Sequence, residues 1–277
     1  MHGEDAVGGV EAELVPDPDR PGAYTVNIGG TDQSWVDPDD PTRLEFDYMQ
    51  RIGDALDTHA PPGERLRVVH VGGAGMSLAR YVAATRPTSP QIVLEPDAEL
   101  TAKVRETLPL QKNSGIKVRP TDGRSGIAAM RDDFADVVII DAFVGARVPA
   151  ELTTVEFLTE VARVLTPGGA VMLNLTDSAP FGYAKSVLAG VVEVFGEALL
   201  SAEPSTLKGR RFGNILVLGS RRAPATAALA RRAAGSPFPY RLLHGPHLHN
   251  FRGGAVPFTD ETASRSPEPP SGRTVFR

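Results

Sequence analysis

Short apolar runs alternate along most of this chain with stretches whose apolar residues recur at helical spacing. In the first forty-odd residues, turn formers interrupt short extended pieces: Pro16-Asp17-Pro18-Asp19 and Pro21-Gly22, then Ala23 to Ile28, Gly29-Gly30, and Gln33 to Val36. This predicts a small N-terminal β-hairpin element over residues 1–43. From Leu44 onward, Tyr48, Met49, Ile52, Ala55 and Leu56 fall on one helical face, and Pro61-Pro62-Gly63 ends the segment. Strands are then expected at 67–71, 91–95, 116–119, 135–141 and 170–176, with helices at 77–85, 98–108, 125–131, 153–165 and 183–195. Repeated βα units of this length imply a parallel sheet, because each crossover needs a helix to return the chain to the same edge.

Two further apolar runs, 198–203 and 214–220, are joined by Pro204 to Gly213 without a helical pattern, which predicts antiparallel neighbours. The fold class that follows is α/β: a doubly wound, mostly parallel, seven-stranded Rossmann-like sheet of the methyltransferase type, ending in an antiparallel hairpin. The nucleotide-binding catalytic domain is expected over 44–222, a C-terminal appendage with a short helix over 223–260, and a disordered tail over 261–277. The tail expectation rests on the run Ser264-Arg265-Ser266-Pro267-Glu268-Pro269-Pro270-Ser271-Gly272.

Composition changes this picture little. The 277 residues are 41% hydrophobic and 23% charged, as in ordinary globular proteins, and no apolar run approaches the about 18 residues of a membrane span. A formal net charge of −5 argues against a phosphate-backbone-binding surface, so neither nucleic acid nor membrane is expected as a partner. The absence of cysteine excludes disulfides, thiolate nucleophiles and Cys-ligated zinc. Met1-His2-Gly3-Glu4-Asp5 shows no secretory pattern, which leaves the cytoplasm as the expected location.

The candidate chemistry lies where the predicted strands end. The first runs into Gly72-Gly73-Ala74-Gly75, and Ser77 then opens a helix; glycines allow close backbone approach to a ligand, and the helix start offers unpaired N–H groups. The spacing does not complete the GxGxxG signature, so a merely tight turn stays open as an alternative. The second strand ends at Glu95, an acid positioned to accept from both ribose hydroxyls. Asp122-Gly123 follows the third, as a carboxylate for an adenine amine with a glycine leaving room for the ring, or as a common Asp-Gly turn. The fourth ends at Asp141, before the loop Ala142-Phe143-Val144-Gly145-Ala146-Arg147-Val148-Pro149, and open α/β sheets bind ligands outside such carboxyl ends. Asp141 is the catalytic candidate, with a helix-capping or loop-ordering role as its alternative.

These junctions, with Gln33 in the preceding hairpin, resemble the spermidine synthase (polyamine aminopropyltransferase) family over 26–220. The likeness is strongest in ADVVIIDAF, VPAELTTVEFL and LTPGGAVMLNL. The resemblance implies aminopropyl transfer from decarboxylated S-adenosylmethionine to a small amine, with the nucleotide as co-substrate, no permanently bound cofactor, no metal, and a homodimer. It implies that Gln33, Glu95 and Asp122 face the nucleotide, with Gly72, Gly73, Gly75 and Gly123 around it, and that Asp141 accepts the amine proton. The chain departs from the family's pattern in three places. The glycine loop carries no acid for the donor's amine, Ala142-Phe143-Val144-Gly145 carries no second aspartate, and the tyrosine-histidine-glutamate stretch reads Phe46-Asp47-Tyr48.

Losing two carboxylates removes counter-charges for ammonium groups, so three readings stand: an aminopropyltransferase-like enzyme, a small-molecule methyltransferase using intact S-adenosylmethionine, and a non-catalytic nucleotide-binding module. Of the remaining features, His244, His247 and His249 lie in a Pro/Gly segment and read as packing or solvated residues rather than a metal site. Trp35 and Phe143 are expected beside the cleft, for ligand stacking or for packing of hairpin on core.

Overall fold

The computed structural model describes residues 12–270. The N-terminal segment forms a three-stranded antiparallel sheet in the order β1 (Ala12–Pro16), β2 (Tyr24–Ile28), β3 (Thr31–Val36). Ile28 pairs with Thr31 across Gly29-Gly30, both at positive φ (59° and 80°). That is the two-residue turn whose twist suits a hairpin, and glycine adopts it without steric cost. Helix α1 (Asp47–His59) follows.

The main sheet has eight strands: β4 (Val68–Val71), β5 (Gln91–Leu94), β6 (Ile116–Arg119), β7 (Ala135–Ile140), β8 (Leu165–Asp177), β9 (Glu197–Ala202), β10 (Gly213–Ser220) and β11 (Arg241–Leu243). Their spatial order is β11-β9-β10-β8-β7-β4-β5-β6. The run from β6 through β8 is parallel; β10 lies antiparallel between β8 and β9. From β4 the chain winds outward through β5 and β6, then returns to place β7 on the other side of β4 and continues to β8. The direction of winding therefore reverses between β4 and β7, and the helices that follow the two strands diverge to leave a crevice there.

Strand alternation divides the core between two helical layers. Val68, Val137, Ile139 and Met172 face α1, α2 (Ser77–Thr85) and α8 (Thr226–Gly235). Val69, Val71, Val138, Ile140, Val171 and Leu173 face α4 (Gly123–Ala128), α5 (Val155–Val164), α6 (Gly182–Phe195) and α9 (Gly245–Arg252). A third cluster joins Val26 and Val36 of the small sheet to Met76, Val93 and α3 (Ala98–Thr107), so the N-terminal element is packed onto the domain.

The architecture differs from the sequence expectation in four places. The sheet has eight strands rather than seven, because β11 adds three residues to the β9 edge, too few for a period to show. The connection between β9 and β10 holds a one-turn helix, α7 (Pro204–Leu207), started by Pro204. The histidine segment forms α9, with His244 as its N-cap and Leu248 as its buried residue. Residues 261–270, expected to be disordered, run along the domain surface. Ser266 is fully buried, accepts from the Val148 N–H at 2.9 Å and donates its own N–H to the Val148 carbonyl at 3.2 Å. A polar stretch is ordered here because the neighbouring loop satisfies its backbone, a term composition does not contain. The expectations for Met1 to Asp5 and for 271–277 lie outside the described residues. Among the described residues, no helix is long and apolar enough to cross a membrane.

Candidate functional site

The β4/β7 crevice is closed at its base by two backbones in contact. Val71 pairs with Ile140, so Gly72 and Asp141 leave adjacent strands side by side. Gly72 has φ +92°, and a Cβ there would stand 2.3 Å from the Asp141 carbonyl oxygen. Only glycine fits this conformation and approach. The turn continues with Ala74 and Met76 also at positive φ, and Met76 opens α2. Gln33, Tyr48, His70, Gly72, Gly73, Asp141 and Phe143 line one cleft above this point.

Asp141 is half-buried, and its carboxylate is held from two sides. The Asn174 side-chain amide donates to Oδ1 at 2.9 Å, and the Tyr48 hydroxyl from α1 donates to the same carboxylate. Behind Asn174, the Asn214 amide donates to its Oδ1 at 3.1 Å, and the Arg51 guanidinium donates to the Asn214 carbonyl at 3.2 Å. Burial pushes the Asp141 carboxyl up to about 6, against the two hydrogen bonds, which lower it. Desolvation outweighs them because no cation among the described residues is paired with the anion. Burial, with the neighbouring Asp141 charge, raises the Tyr48 phenol well above its usual range, so it stays a donor. The arrangement is a carboxylate that exchanges a proton near neutral pH beside a Gly-rich strand end.

The other predicted residues are placed as follows. Gln33 reaches the cleft from β3. Glu95, half-buried at the end of β5, bends back over the glycine loop. Its Oε2 accepts from the Gly73 and Ala74 N–H groups at 2.9 and 3.3 Å, and its Oε1 from the Asp97 N–H at 3.1 Å. A carboxylate has about four lone-pair sites, so one is open to a ribose hydroxyl where the sequence reading expected two bonds. Asp122 is exposed and acts as the N-cap of α4, accepting from the Ser125 N–H at 2.8 Å. That bond is the main cause of its lowered pKa. It does not line the cleft.

Two glycines serve packing rather than ligand space. A Cβ at Gly123 would stand 2.3 Å from Val71 Cγ1, so Gly123 lets α4 sit on β4, and it does not leave room for a ring. Gly75 lies under the N-terminal sheet, where a Cβ would meet Ser34, Val36 and Val26 at 2.8 to 3.1 Å, and its N–H donates to Ser34 Oγ at 3.1 Å. An acidic side chain has no room at 75 while that sheet is docked. Trp35 is buried, donates its indole N–H to Asp17 and lies against Arg43; it faces a separate groove with Phe46, away from the cleft. Phe143 lines the cleft.

Two polar residues of this region carry no motif, and a third, Tyr48, stands in the Phe46-Asp47-Tyr48 stretch. Tyr48 sits on the apolar face of α1, and Asn174 and His70 interrupt the apolar strands β8 and β4. The available signal was a lone hydrogen-bonding side chain in a run otherwise built for burial, since such groups persist inside only when partnered.

No family model matches the sequence. The polyamine aminopropyltransferase of Chromobacterium violaceum is 25% identical over 207 residues, covering 73% of this chain and 75% of that protein. The polyamine aminopropyltransferase of Vibrio vulnificus is 26% identical over 217 residues, covering 77% and 71%. Among solved structures, a probable spermidine synthase from Corynebacterium glutamicum superposes with a TM-score of 0.83 at 33% identity, over 90% of this chain and 92% of the other. Identity at that level extends over nearly the whole of both chains. This chain belongs to the spermidine synthase family.

Proposed function

We propose that the protein transfers the aminopropyl group of decarboxylated S-adenosylmethionine to a small amine. The observation that carries this is Asp141: a carboxylate at the switch point of the sheet, oriented by Asn174 and Tyr48, with its pKa raised to about 6. An amine is mostly protonated in water, and an ammonium has no lone pair. Asp141 takes one proton, and the freed nitrogen attacks the aminopropyl carbon bound to the sulfonium. The C–N bond forms as the C–S bond breaks, the bonding pair passes to sulfur, and 5′-methylthioadenosine leaves as a neutral thioether. Sulfonium is its own leaving group, so the step needs no metal.

In this reading Glu95 holds the ribose, with the Gly72-Gly73 turn beneath the nucleoside and Gln33 at its side. Asp122, at the start of α4, accepts from the adenine amine. Gly75 and Gly123 act indirectly, by letting the small sheet and α4 pack against the loop and strand that carry the site. The names of the relatives favour this reading over methyl transfer and over a module without turnover.

The test is incubation of the purified protein with decarboxylated S-adenosylmethionine and a panel of diamines, following 5′-methylthioadenosine and the aminopropylated amine together. Stoichiometric formation of both is expected, and loss of both in Asp141→Asn. Turnover of intact S-adenosylmethionine to its demethylated product, with none of the decarboxylated form, would overturn the proposal.

A further inference from the structure

One buried polar side chain in the cleft is left over by the mechanism just described. His70, in the third position of β4, is buried, with its Nε2 2.9 Å from Gln91 Oε1 on β5. The Gln91 amide nitrogen lies 3.0 Å from the Ala79 carbonyl oxygen, which can only accept. The orientation of the Gln91 amide is thereby set, its Oε1 faces the imidazole, and His70 Nε2 must carry the proton. Nδ1 therefore bears a lone pair, and no group among the described residues donates to it. His70 lines the cleft. Burial also depresses its pKa to about 4, so the ring stays neutral and the lone pair available at physiological pH.

The neighbours of this nitrogen indicate its ligand. His70 pairs with Ile139, and Asp141 lies two residues further along β7 on the same face of the sheet. The Tyr48 hydroxyl proton is engaged by Asp141. The floor of the cleft thus offers two acceptors on adjacent strands, one neutral and one anionic, beneath the Gly72-Gly73 turn. A group with several N–H donors and a positive charge satisfies both; a hydroxyl, with one proton, does not.

We infer that His70 Nδ1 accepts a hydrogen bond from the protonated amine of the nucleoside ligand's side arm, making His70 a specificity-determining residue for amine-bearing donors. The inference rests on the nucleoside-binding part of the proposed function. A neutral acceptor suits this place because it binds an ammonium without adding a second buried anion beside Asp141.

The experiment compares two ligands by calorimetry: decarboxylated S-adenosylmethionine, and 5′-methylthioadenosine, which is the same nucleoside without the aminopropyl arm. In His70→Val, which keeps an apolar β-former in a buried strand, affinity for 5′-methylthioadenosine should be unchanged while affinity for the decarboxylated donor falls about tenfold, as for one charge-assisted hydrogen bond. Gln91→Leu, which releases the tautomer, should weaken donor binding alone by about threefold, and it serves if His70→Val does not fold. Equal weakening of both ligands would make His70 a purely structural residue and overturn the inference, as would donor affinity unchanged in both variants. If the unaltered protein binds neither ligand, the nucleoside reading falls and the inference with it; normal 5′-methylthioadenosine binding with an unaffected donor removes the inference alone.

Discussion

The Asn174 side-chain amide donates to Asp141 at 2.9 Å, and its own Oδ1 accepts from Asn214, so among the described residues the sheet meets the Asp141 carboxylate through a chain of amides. Amides orient a carboxylate without neutralising it, which is how Asp141 is fixed in place yet keeps a pKa near neutrality. A cation in the position of Asn174 would have held it ionised at all working pH values.

Asp141→Asn keeps the shape and removes the base. Turnover should fall by about 10²- to 10⁴-fold while 5′-methylthioadenosine still binds. In the unaltered protein kcat/KM should fall as pH drops below about 6, where Asp141 takes up its proton. The stability effect has a definite sign. The folded-state pKa lies above the ordinary carboxylate value, so the folded protein binds more protons than the unfolded chain between about pH 4 and 6. The contribution of Asp141 to stability is therefore fully present below that window and lost as pH rises through it. Chemical denaturation at pH 4.5 and 7 should show this decline flattened in the variant relative to the parent, at two pH values on the order of those bounds.

Asn174→Ala removes a hydrogen bond that lowers the Asp141 pKa. The acid limb of the pH–rate profile should move to higher pH by about one unit, the equivalent of one hydrogen bond to a charged group. A drop in kcat with an unmoved limb would separate Asn174 from Asp141.

Gly72→Ala should be disruptive out of proportion to one methyl group. The φ of +92° is strained for an L-residue, and the new Cβ would overlap the Asp141 carbonyl, so the strand ends must part. A loss of more than about 2 kcal/mol in stability is expected, together with loss of activity, read from thermal melts and the transfer assay. Gly30→Ala, in a turn with open space around it but a positive φ, should cost less.

Ser266→Ala tests the C-terminal segment as a support for the loop after Asp141. Ser266 Oγ accepts from the Val148 N–H and lies 3.2 Å from Thr176 Oγ, and the Ser266 carbonyl accepts from Arg147 at 2.6 Å. Leaving the buried Val148 N–H unpartnered should cost about 1–3 kcal/mol. Hydrogen exchange should accelerate at 142–149 ahead of the sheet; uniform acceleration would mean that the segment supports the domain as a whole.

The strand-helix alternation was readable because burial imposes it on sequence. Buried parallel strands such as β7, apolar from Val137 to Ile140, must be largely apolar, the helices amphipathic, and the turns rich in glycine and proline. The same rules failed where the deciding contact was distant in sequence. β11 is too short to carry a pattern, and Ser266 is ordered by a loop more than a hundred residues away.

At the site, the acids at strand ends were visible as carboxylates in register, and Gly72 as a residue needed for close approach. Their roles were assigned by partners that only folding supplies. Asp122 spends one oxygen capping α4, Gly123 and Gly75 are small for packing, and Glu95 turns onto the loop. Tyr48, His70 and Asn174 come from three elements; in sequence Tyr48 reads as one of the apolar positions of α1, and the other two look like imperfections in apolar strands. By itself the sequence determined the doubly wound fold and the edge of the sheet at which chemistry is done, because periodicity and strand-end residues are local properties. Tertiary structure decided how Asp141 titrates and what its neighbours can accept, because desolvation and hydrogen-bond direction depend on groups brought together from across the chain.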